Sequence, residues 1–274
     1  MGEQNTHGRI GETLALLQYF LPQHLLTGLT GWLMRRRSRW LKNAMIRGFA
    51  KLYDINTAEA AGKVPDDYDT LNAFFTRALA DDARDIEHHE HALISPCDGV
   101  ISACGHIENG TLLQAKGHRY HAAEFLQHDE LAAAYDGGRF VTVYLSPRDY
   151  HRVHFPIAGE VSQHRAIDGQ LFAVNGATAR AIPNLFSRNA RHVMHLQSSF
   201  GPLSMVMVGA LNVASITLPW KDHAGYRFEK ADTAGWFNMG STVVLLLPNG
   251  WELDSHCETN ATVKLGQALA HWRT

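Results

Sequence analysis

The sequence contains little cysteine: Cys97, Cys104 and Cys257 are the three in 274 residues, and none belongs to a Cys-x-x-Cys pair. An odd number of cysteines without paired spacing argues against a disulfide framework. The same spacing gives no support to a zinc site with cysteine ligands. This scarcity is typical of a protein from a reducing compartment.

Long apolar runs are also missing. No uninterrupted apolar stretch approaches the roughly 18 residues that a membrane-spanning helix requires. The start is polar, and the first apolar stretch has neither a basic leader nor a small-residue cleavage site, so we expect no signal peptide. The chain further lacks Gly-x-Ser-x-Gly, the nucleophile turn of many hydrolases, and the zinc motif His-Glu-x-x-His.

Residues of the types that bind metals nevertheless cluster in two places. Residues 87–91 read Glu-His-His-Glu-His, and His151 and His154 could share one face of a helix. The first cluster lies in a polar connector that begins at Asp81, which is typical of a solvated loop. We therefore predict that the protein uses no metal.

The net charge of -2 conceals a strongly basic segment. Seven basic residues and no acidic one lie between Arg35 and Lys51, and the rest of the chain has 18 basic against 27 acidic residues. A cationic patch on an acidic body indicates a polyanionic partner, either a membrane surface or a nucleic acid. No nucleic-acid-binding module is recognisable in the segment, so we favour a membrane surface and no nucleic acid.

Apolar residues at helical spacing surround this segment. Leu14, Leu17, Phe20 and Leu21 form one such pattern. A second apolar stretch runs from Leu25 to Met34, and a third pattern from Trp40 to Leu52 gathers on one helical face. Tryptophans on both sides of an arginine cluster are typical of helices that lie at a membrane interface. The alternative is a helical packing arm whose basic face is merely solvated.

The pattern changes from about residue 94 onward. Short β-rich runs at residues 99–101, 140–145, 205–208, 213–218 and 242–247 alternate with turn signals such as Asp-Gly and Asn-Gly. Short helices are predicted around residues 122–134 and 177–186. We therefore predict an α+β fold, with amphipathic helices for membrane association in residues 1–60 and a mainly antiparallel β domain in residues 61–274.

One segment places a serine directly after a glycine at the start of a predicted buried strand. Ser241 follows Gly240, and residues 243–247 are Val-Val-Leu-Leu-Leu, closed by the turn signal Pro-Asn-Gly. The backbone holds such a serine hydroxyl close to the carbonyl of the preceding glycine, which it can attack. Most Gly-Ser-Thr stretches do not react in this way, so other residues must support the chemistry.

Two further segments contain such residues. Residues 95–100 include Asp98, and residues 145–156 include His151 and His154. A carboxylate that orients an imidazole, and an imidazole that takes a hydroxyl proton, form a catalytic triad in any chain order. The alternatives are that Asp98 only forms a turn, and that these two among 17 histidines are structural or exposed.

Taken in order, these segments resemble the bacterial, membrane-associated phosphatidylserine decarboxylases over nearly the whole chain. The most specific shared segment is residues 144–154, Tyr-Leu-Ser-Pro-Arg-Asp-Tyr-His-Arg-Val-His. The others are residues 17–22, 96–99, 114–118, 171–175, 183–186, 208–210 and 240–242. Each is weak by itself, and their common order makes the resemblance specific.

The resemblance implies a proenzyme that cuts itself between Gly240 and Ser241. Asp98 would orient His154, and His154 would take the proton of Ser241. The serine oxygen attacks the glycine carbonyl to form an ester, and elimination then leaves a residue that loses ammonia and becomes a pyruvoyl group. The expected products are a β chain of residues 1–240 and an α chain of residues 241–274, which together form the catalytic domain.

The resemblance also implies the reaction, the cofactor and the partners. Phosphatidylserine would be decarboxylated to phosphatidylethanolamine through a Schiff base with the pyruvoyl group derived from Ser241, which accepts electrons as carbon dioxide leaves. His151 is expected to donate the proton that replaces the carboxyl group. The two chains are expected to pair into a dimer of heterodimers, attached peripherally to the cytoplasmic face of the cell membrane.

The sequence departs from this family in two places. Met239 stands where leucine is usual, and the stretch between Leu218 and Gly240 is shorter than in some members. The second departure leaves the phosphate-binding residues open, since Arg148 or Arg152 could bind phosphate or form structural ion pairs. Two rival functions, a Ser-His-Asp lipid hydrolase and a non-enzymatic membrane module, would leave the chain uncut.

Overall fold

The computed structural model describes residues 18–20, 22–115, 117–210, 216–220, 225–238 and 241–273. Short 3-10 helices occupy Gln18–Phe20 and Thr57–Glu59. The α-helices are α1 Gln23–Met34, α2 Arg39–Leu52, α3 Leu71–Phe75, α4 Ala122–Leu126, α5 Asp129–Ala133, α6 Gly176–Ala181 and α7 Leu185–Arg188. The short helices predicted around residues 122–134 and 177–186 are therefore confirmed.

Strands dominate the chain after α3. They are β1 Ala92–Ile94, β2 Gly99–His106, β3 Thr111–Ala115, β4 His118–His121, β5 Arg139–Leu145, β6 Arg152–His154, β7 Gly159–Ile167, β8 Arg191–Ser198, β9 Gly201–Val208, β10 Ile216–Thr217, β11 Tyr226–Phe228, β12 Thr233–Phe237, β13 Ser241–Leu247, β14 Trp251–Leu253, β15 Thr262–Val263 and β16 Ala268–Trp272. Of the strand predicted at residues 213–218, residues 213–215 lie outside the described residues.

One large antiparallel sheet organises these strands. Its order is β11-β7-β8-β9-β13-β5-β2-β15, and every neighbouring pair is antiparallel. Smaller sheets join β1, β16 and β14, and also β10, β12 and β6. The predicted α+β class, with a mainly antiparallel β body after N-terminal helices, is confirmed.

The composition of β13 explains its central place in the sheet. A strand that is covered on both faces needs apolar residues without alternation, and residues 243–247 are all valine or leucine. All seven residues of β13 are buried. The strand pairs with β5 from Ser241 opposite Leu145 onward, and with β9 from Thr242 opposite Val208 onward. The C-terminal segment therefore begins in the middle of the sheet.

The N-terminal helices have a second, smaller core. Its buried members come from α1, α2, α3 and the segments between them: Met34, Ile46, Ile55, Tyr68, Leu71, Phe74 and Phe75. Three of these residues lie in α3, beyond the predicted boundary at residue 60. The division into residues 1–60 and 61–274 stays a prediction. Within the described residues, no helix has the length and apolar character required to cross a membrane.

One residue of the basic segment is buried in this helical core. The Lys42 ammonium donates to the carbonyl oxygens of Pro65 at 2.9 Å and Tyr68 at 2.6 Å, and the residue is 7% exposed. The other six basic residues from Arg35 to Lys51 are exposed. The cationic surface is therefore one charge smaller than the sequence count predicts.

We predict that Lys42→Met destabilises the protein, whereas the same change at the exposed Lys51 does not. The first variant leaves the Pro65 and Tyr68 carbonyl groups without their charged donor, at a cost of about 2 kcal/mol in the free energy of unfolding. The Lys51 change should stay within about 0.5 kcal/mol. Urea unfolding of both variants measures the difference, and equal values would show that the Lys42 contacts contribute nothing.

Candidate active site

The candidate site forms at one end of three adjacent strands. Ser241 opens β13 and lies opposite Leu145, the last residue of β5. On the other side of β5, strand β2 begins at Gly99, directly after Asp98. Because neighbouring strands are antiparallel, the start of β13, the end of β5 and the start of β2 lie at the same edge of the sheet. The fold thus brings the Ser241 and Asp98 segments together.

Backbone hydrogen bonds attach the histidine segment to the same edge. The amide of His154 donates to the carbonyl of Pro96 at 2.8 Å, and the amide of Phe237 donates to the carbonyl of His151 at 3.1 Å. Strand β12, which contains Phe237, pairs with β6 and ends shortly before Ser241. The proposed shared helical face of the two histidines is wrong, because residues 152–154 form a β-strand.

The Ser241 side chain is buried at the start of β13. The residue is 0% exposed, and its hydroxyl oxygen has no hydrogen-bond partner among the described residues. A buried unsatisfied hydroxyl costs about 1–3 kcal/mol, so this group does not stabilise the fold through a hydrogen bond among the described residues. Gly240, which supplies the carbonyl side of the expected cleavage bond, lies outside the described residues.

His154 is held as a neutral base. Its Nδ1 lies 2.6 Å from the carbonyl oxygen of Ala231, and its Nε2 lies 3.0 Å from the hydroxyl of Tyr150. Since a carbonyl only accepts, Nδ1 carries the hydrogen and Nε2 presents a lone pair to Tyr150. Burial lowers the pKa of His154 below its usual value, although the bond to Ala231 acts in the opposite direction. Burial also raises the pKa of Tyr150 to about 12, which keeps its hydroxyl a donor.

Asp98 is ionised and bound by other groups. Its carboxylate accepts from Arg84 Nε at 3.0 Å, from the Leu265 amide at 2.9 Å and from Lys264 Nζ at 3.4 Å, and Arg84 Nη2 also donates to it. Burial raises the pKa of Asp98, but the bonds from Arg84 and Leu265 outweigh burial and hold the pKa below its usual value. Within the described part of the chain, no hydrogen bond joins Asp98 to His154. The orienting role expected of Asp98 stays a prediction.

His151 is fully buried beside α3. Its ring stacks on Phe75 with centroids 4.0 Å apart, and its Nε2 lies 3.0 Å from the carbonyl oxygen of Ser146. Its Nδ1 has no partner among the described residues. Burial, helped by the charge of Arg77, lowers the pKa of His151 to about 3, so the ring is neutral at neutral pH. As the expected proton donor, His151 would first have to gain a proton.

Comparison with known proteins identifies the family of this chain. The family model described as phosphatidylserine decarboxylase matches residues 71–271, and a second model described as PSD matches residues 14–54. The chain belongs to the phosphatidylserine decarboxylase family. The predicted resemblance is thereby confirmed.

Individual relatives in this family are similar over most of their length. A phosphatidylserine decarboxylase proenzyme from Methylococcus capsulatus is 40% identical over 94% of this chain and 96% of its own. Proenzymes of the same name from Stutzerimonas stutzeri and Pseudomonas entomophila are 43% and 41% identical, over 84% and 92% of this chain and 84% and 95% of their own. The predicted enzyme class, a decarboxylating lyase with a proenzyme form, is confirmed.

The two arginines considered for phosphate binding have different surroundings. The Arg148 side chain is 62% exposed, and its Nε lies 3.9 Å from Asp149. Arg152 donates from Nε to the carbonyl of Thr76 at 2.9 Å and lies over the ring of Trp236. Arg152 therefore joins the histidine segment to the residue after α3, which is a structural contact.

Four residues around the site were not predicted from the sequence. Tyr150 lies inside the segment 145–156, and its position four residues before His154 could have identified it. Arg77, Arg84 and Ala231 gave no signal, because they come from segments without a catalytic motif. Arg84 in particular lies in the polar connector before β1, where a charged residue is normally solvated.

We predict that lowering the pH from 7 to 5 destabilises the protein and that His151 contributes to this loss. The pKa of His151 is about 3 in the folded state and about 6.5 in an unfolded chain. Between these values only the unfolded chain takes up the proton, so stability falls as the pH falls.

The variant His151→Gln should reduce this pH dependence by at most ~1.4 kcal/mol per pH unit. His121→Gln is the matched control, since His121 is exposed. Urea unfolding at pH 7, 6 and 5 gives the slope of the unfolding free energy against pH for the unchanged protein and for each variant. If the His151→Gln slope equals that of the unchanged protein, the buried neutral state assigned to His151 is wrong.

Proposed function

We propose that this protein decarboxylates phosphatidylserine to phosphatidylethanolamine, using a pyruvoyl group that it makes from Ser241 by cleaving the Gly240–Ser241 bond. The observation that carries this proposal is the buried, unpartnered Ser241 hydroxyl at the start of β13. Buried hydroxyls usually have a hydrogen-bond partner, and this one both lacks a partner among the described residues and directly follows Gly240 in the chain. The names of the relatives, all proenzymes, support the same function.

In the cleavage step, the proton of Ser241 passes to His154. The Nε2 lone pair accepts it, and Nδ1–H bonded to Ala231 stabilises the imidazolium that forms. Tyr150, which donates to Nε2, either relays the proton or moves aside. Burial lowers the pKa of both His154 and His151, and the charge of Asp98 opposes this lowering without overcoming it. The Ser241 oxygen is then free to attack the Gly240 carbonyl carbon.

The residue that remains at position 241 has the surroundings that a reactive carbonyl requires. Residue 241 lies within the sheet, paired with Leu145 and excluded from water. When formed, the pyruvoyl group supplies an electron sink through a Schiff base with the substrate amine. Exclusion of water protects such a group from side reactions. His151 would then transfer a proton to the substrate carbon from which carbon dioxide leaves.

The sheet would hold the two chains together after cleavage. Strand β13 would belong to the α chain of residues 241–274, whereas both of its neighbours, β5 and β9, would belong to the β chain. The ion pair of Lys264 with Asp98 also joins the two segments. The products should therefore remain associated until denatured. Pairing of two such αβ units is a proposal that rests on the family resemblance.

We predict that Ser241→Ala yields one uncut chain with no decarboxylase activity. The unchanged protein should show a 34-residue fragment on a denaturing gel, and mass spectrometry should show a pyruvoyl N-terminus at residue 241. Thr242→Val is the matched control, because the Thr242 hydroxyl is also buried without a partner among the described residues. Cleavage should persist in this control. An uncut unchanged protein, or activity in Ser241→Ala, would refute the proposed function.

We also propose that α1 and α2 attach the protein to an anionic membrane surface at the cytoplasmic side. Large apolar side chains on α1 project into solvent at helical spacing, with Leu25 72%, Leu29 62% and Trp32 56% exposed, and on α2 Trp40 is 76% exposed. Soluble surfaces seldom gather such residues on one short segment. Arg36 lies over the Trp32 ring at 3.4 Å, so apolar and cationic groups share this surface. The combination is typical of interfacial helices.

We predict that the double change Arg37→Gln with Arg39→Gln weakens binding to vesicles rich in phosphatidylserine. Each cation near an anionic surface contributes about 1 kcal/mol, so two should change the affinity roughly 30-fold. The control double variant changes Arg119 and Arg227, which are also exposed but lie outside the helices. Vesicle sedimentation measures binding.

High salt provides a second test of the same surface. Raising the salt concentration to about 1 M shortens the screening length to about 3 Å, so vesicle binding should weaken while self-cleavage continues. Equal salt sensitivity of binding and cleavage, or equal loss of binding in both double variants, would contradict the proposed docking surface.

A further inference from the structure

Arg77 is a buried cation with unused hydrogen-bond donors. The residue is 4% exposed, and its Nε and Nη1 have no partner among the described residues. Burying a charge is costly unless it is paired and hydrogen-bonded. The unpaired donors of Arg77 therefore cost stability.

A second buried arginine shows what a purely structural role requires. Arg191 is 3% exposed, and all three nitrogens of its guanidinium group are satisfied. Nε donates to the Phe125 carbonyl at 2.7 Å, Nη1 to the Ser187 and Asn189 carbonyls at 2.6 and 3.0 Å, and Nη2 to the Glu124 carbonyl at 3.0 Å. Arg77 has no comparable set of acceptors among the described residues.

Contacts of α3 place Arg77 beside the candidate active site. The helix touches the site through Phe75, whose ring stacks on His151 at 4.0 Å. Its Asn72 amide donates to the Asn238 side chain at 3.0 Å, two residues before Gly240. The Arg77 guanidinium lies 5.2 Å from the ring centre of Phe74. Arg77 thus follows a helix that contacts both the expected proton donor and the segment before the cleavage bond.

Arg77 is a surplus cation, because the carboxylates near it are already paired with other basic side chains. The nearby carboxylates, Asp98 and Glu59, are both bound by Arg84, and Asp98 is also paired with Lys264. Burial lowers the pKa of Arg77, and the charges of Glu59 and Asp98 act in the opposite direction. Neither carboxylate forms a hydrogen bond to Arg77 among the described residues. An anion that entered here would find two guanidinium donors available. The planar guanidinium group suits the two oxygens of a phosphate or a carboxylate.

We propose that Arg77 binds the anionic part of the phospholipid headgroup during decarboxylation. This inference rests on the proposed function, since phosphatidylserine carries both a phosphate and a carboxylate. Arg77 would orient the substrate amine toward residue 241 by holding an oxyanion beside His151. Arg77 takes no part in self-cleavage, which the proposed function assigns to Ser241, His154, Tyr150 and the charge of Asp98.

The test compares Arg77→Met with Arg191→Met in the full chain. Loss of the unsatisfied charge should leave the melting temperature of Arg77→Met equal to or above that of the unchanged protein, with the 34-residue fragment still released. Its kcat/KM on soluble short-chain phosphatidylserine should fall by about 100-fold, the loss expected for a charge-assisted contact. Arg191→Met should lower the melting temperature clearly, because it leaves four carbonyl contacts unmade.

A further variant and a second ligand identify the bound group. Arg77→Lys keeps the charge without the planar fork, so its kcat/KM should lie between those of the unchanged protein and Arg77→Met. Calorimetry with short-chain phosphatidylethanolamine, which has the phosphate but lacks the carboxylate, shows which of these two groups Arg77 binds. Weaker binding to Arg77→Met than to the unchanged protein assigns Arg77 to the phosphate, and equal binding assigns it to the carboxylate.

Two results would overturn the inference. One is an Arg77→Met variant that cleaves itself and retains kcat/KM within about 3-fold of the unchanged protein, a change as small as that expected for a substitution away from the active site. The other is a melting temperature that falls as far as that of Arg191→Met, which would make Arg77 a structural residue. Failure of the unchanged protein to cleave itself would instead refute the proposed function.

Discussion

Burial of β13 between β5 and β9 is the constraint on which the rest of the structure depends. The strand hydrogen-bonds on both sides to segments that precede Gly240 in the chain. A break after residue 240 would therefore remove one covalent bond and leave both ladders intact. In the proposed reaction, the new N-terminus stays where the Ser241 hydroxyl was. One position can then serve first as the nucleophile and afterwards as the reactive carbonyl.

Charge placement is the second constraint on the site. Arg84 joins Glu59 to Asp98, and Lys264 from the C-terminal segment adds a further contact. This network keeps Asp98 ionised while burial keeps His151 and His154 neutral. A buried site with an anion, two neutral bases and the surplus cation Arg77 is poorly arranged for stability. The proposed binding of an anionic headgroup at Arg77 would offset part of this cost.

Several features were predictable from the chain because their causes are local. Five consecutive apolar residues after Ser241 cannot be solvated, so a buried strand followed from the pattern 243–247. Lys42 shows the opposite case. It belongs to a run of basic residues that looks solvated, yet its ammonium group satisfies carbonyls near Tyr68. Its burial depends on how residues 65–68 pack against α2, which no local pattern encodes.

By itself, the sequence determined the family, the candidate residues Asp98, His151, His154 and Ser241, and the alternation of helices and strands, because residue type and order carry that information. Only the tertiary structure decided what each side chain touches. The Nδ1 partner of His154 is Ala231, and Asp98 is held by Arg84 and by residues 264 and 265. These partners are distant in the chain and become neighbours only when antiparallel strands meet at one sheet edge, since contact depends on register rather than on sequence distance.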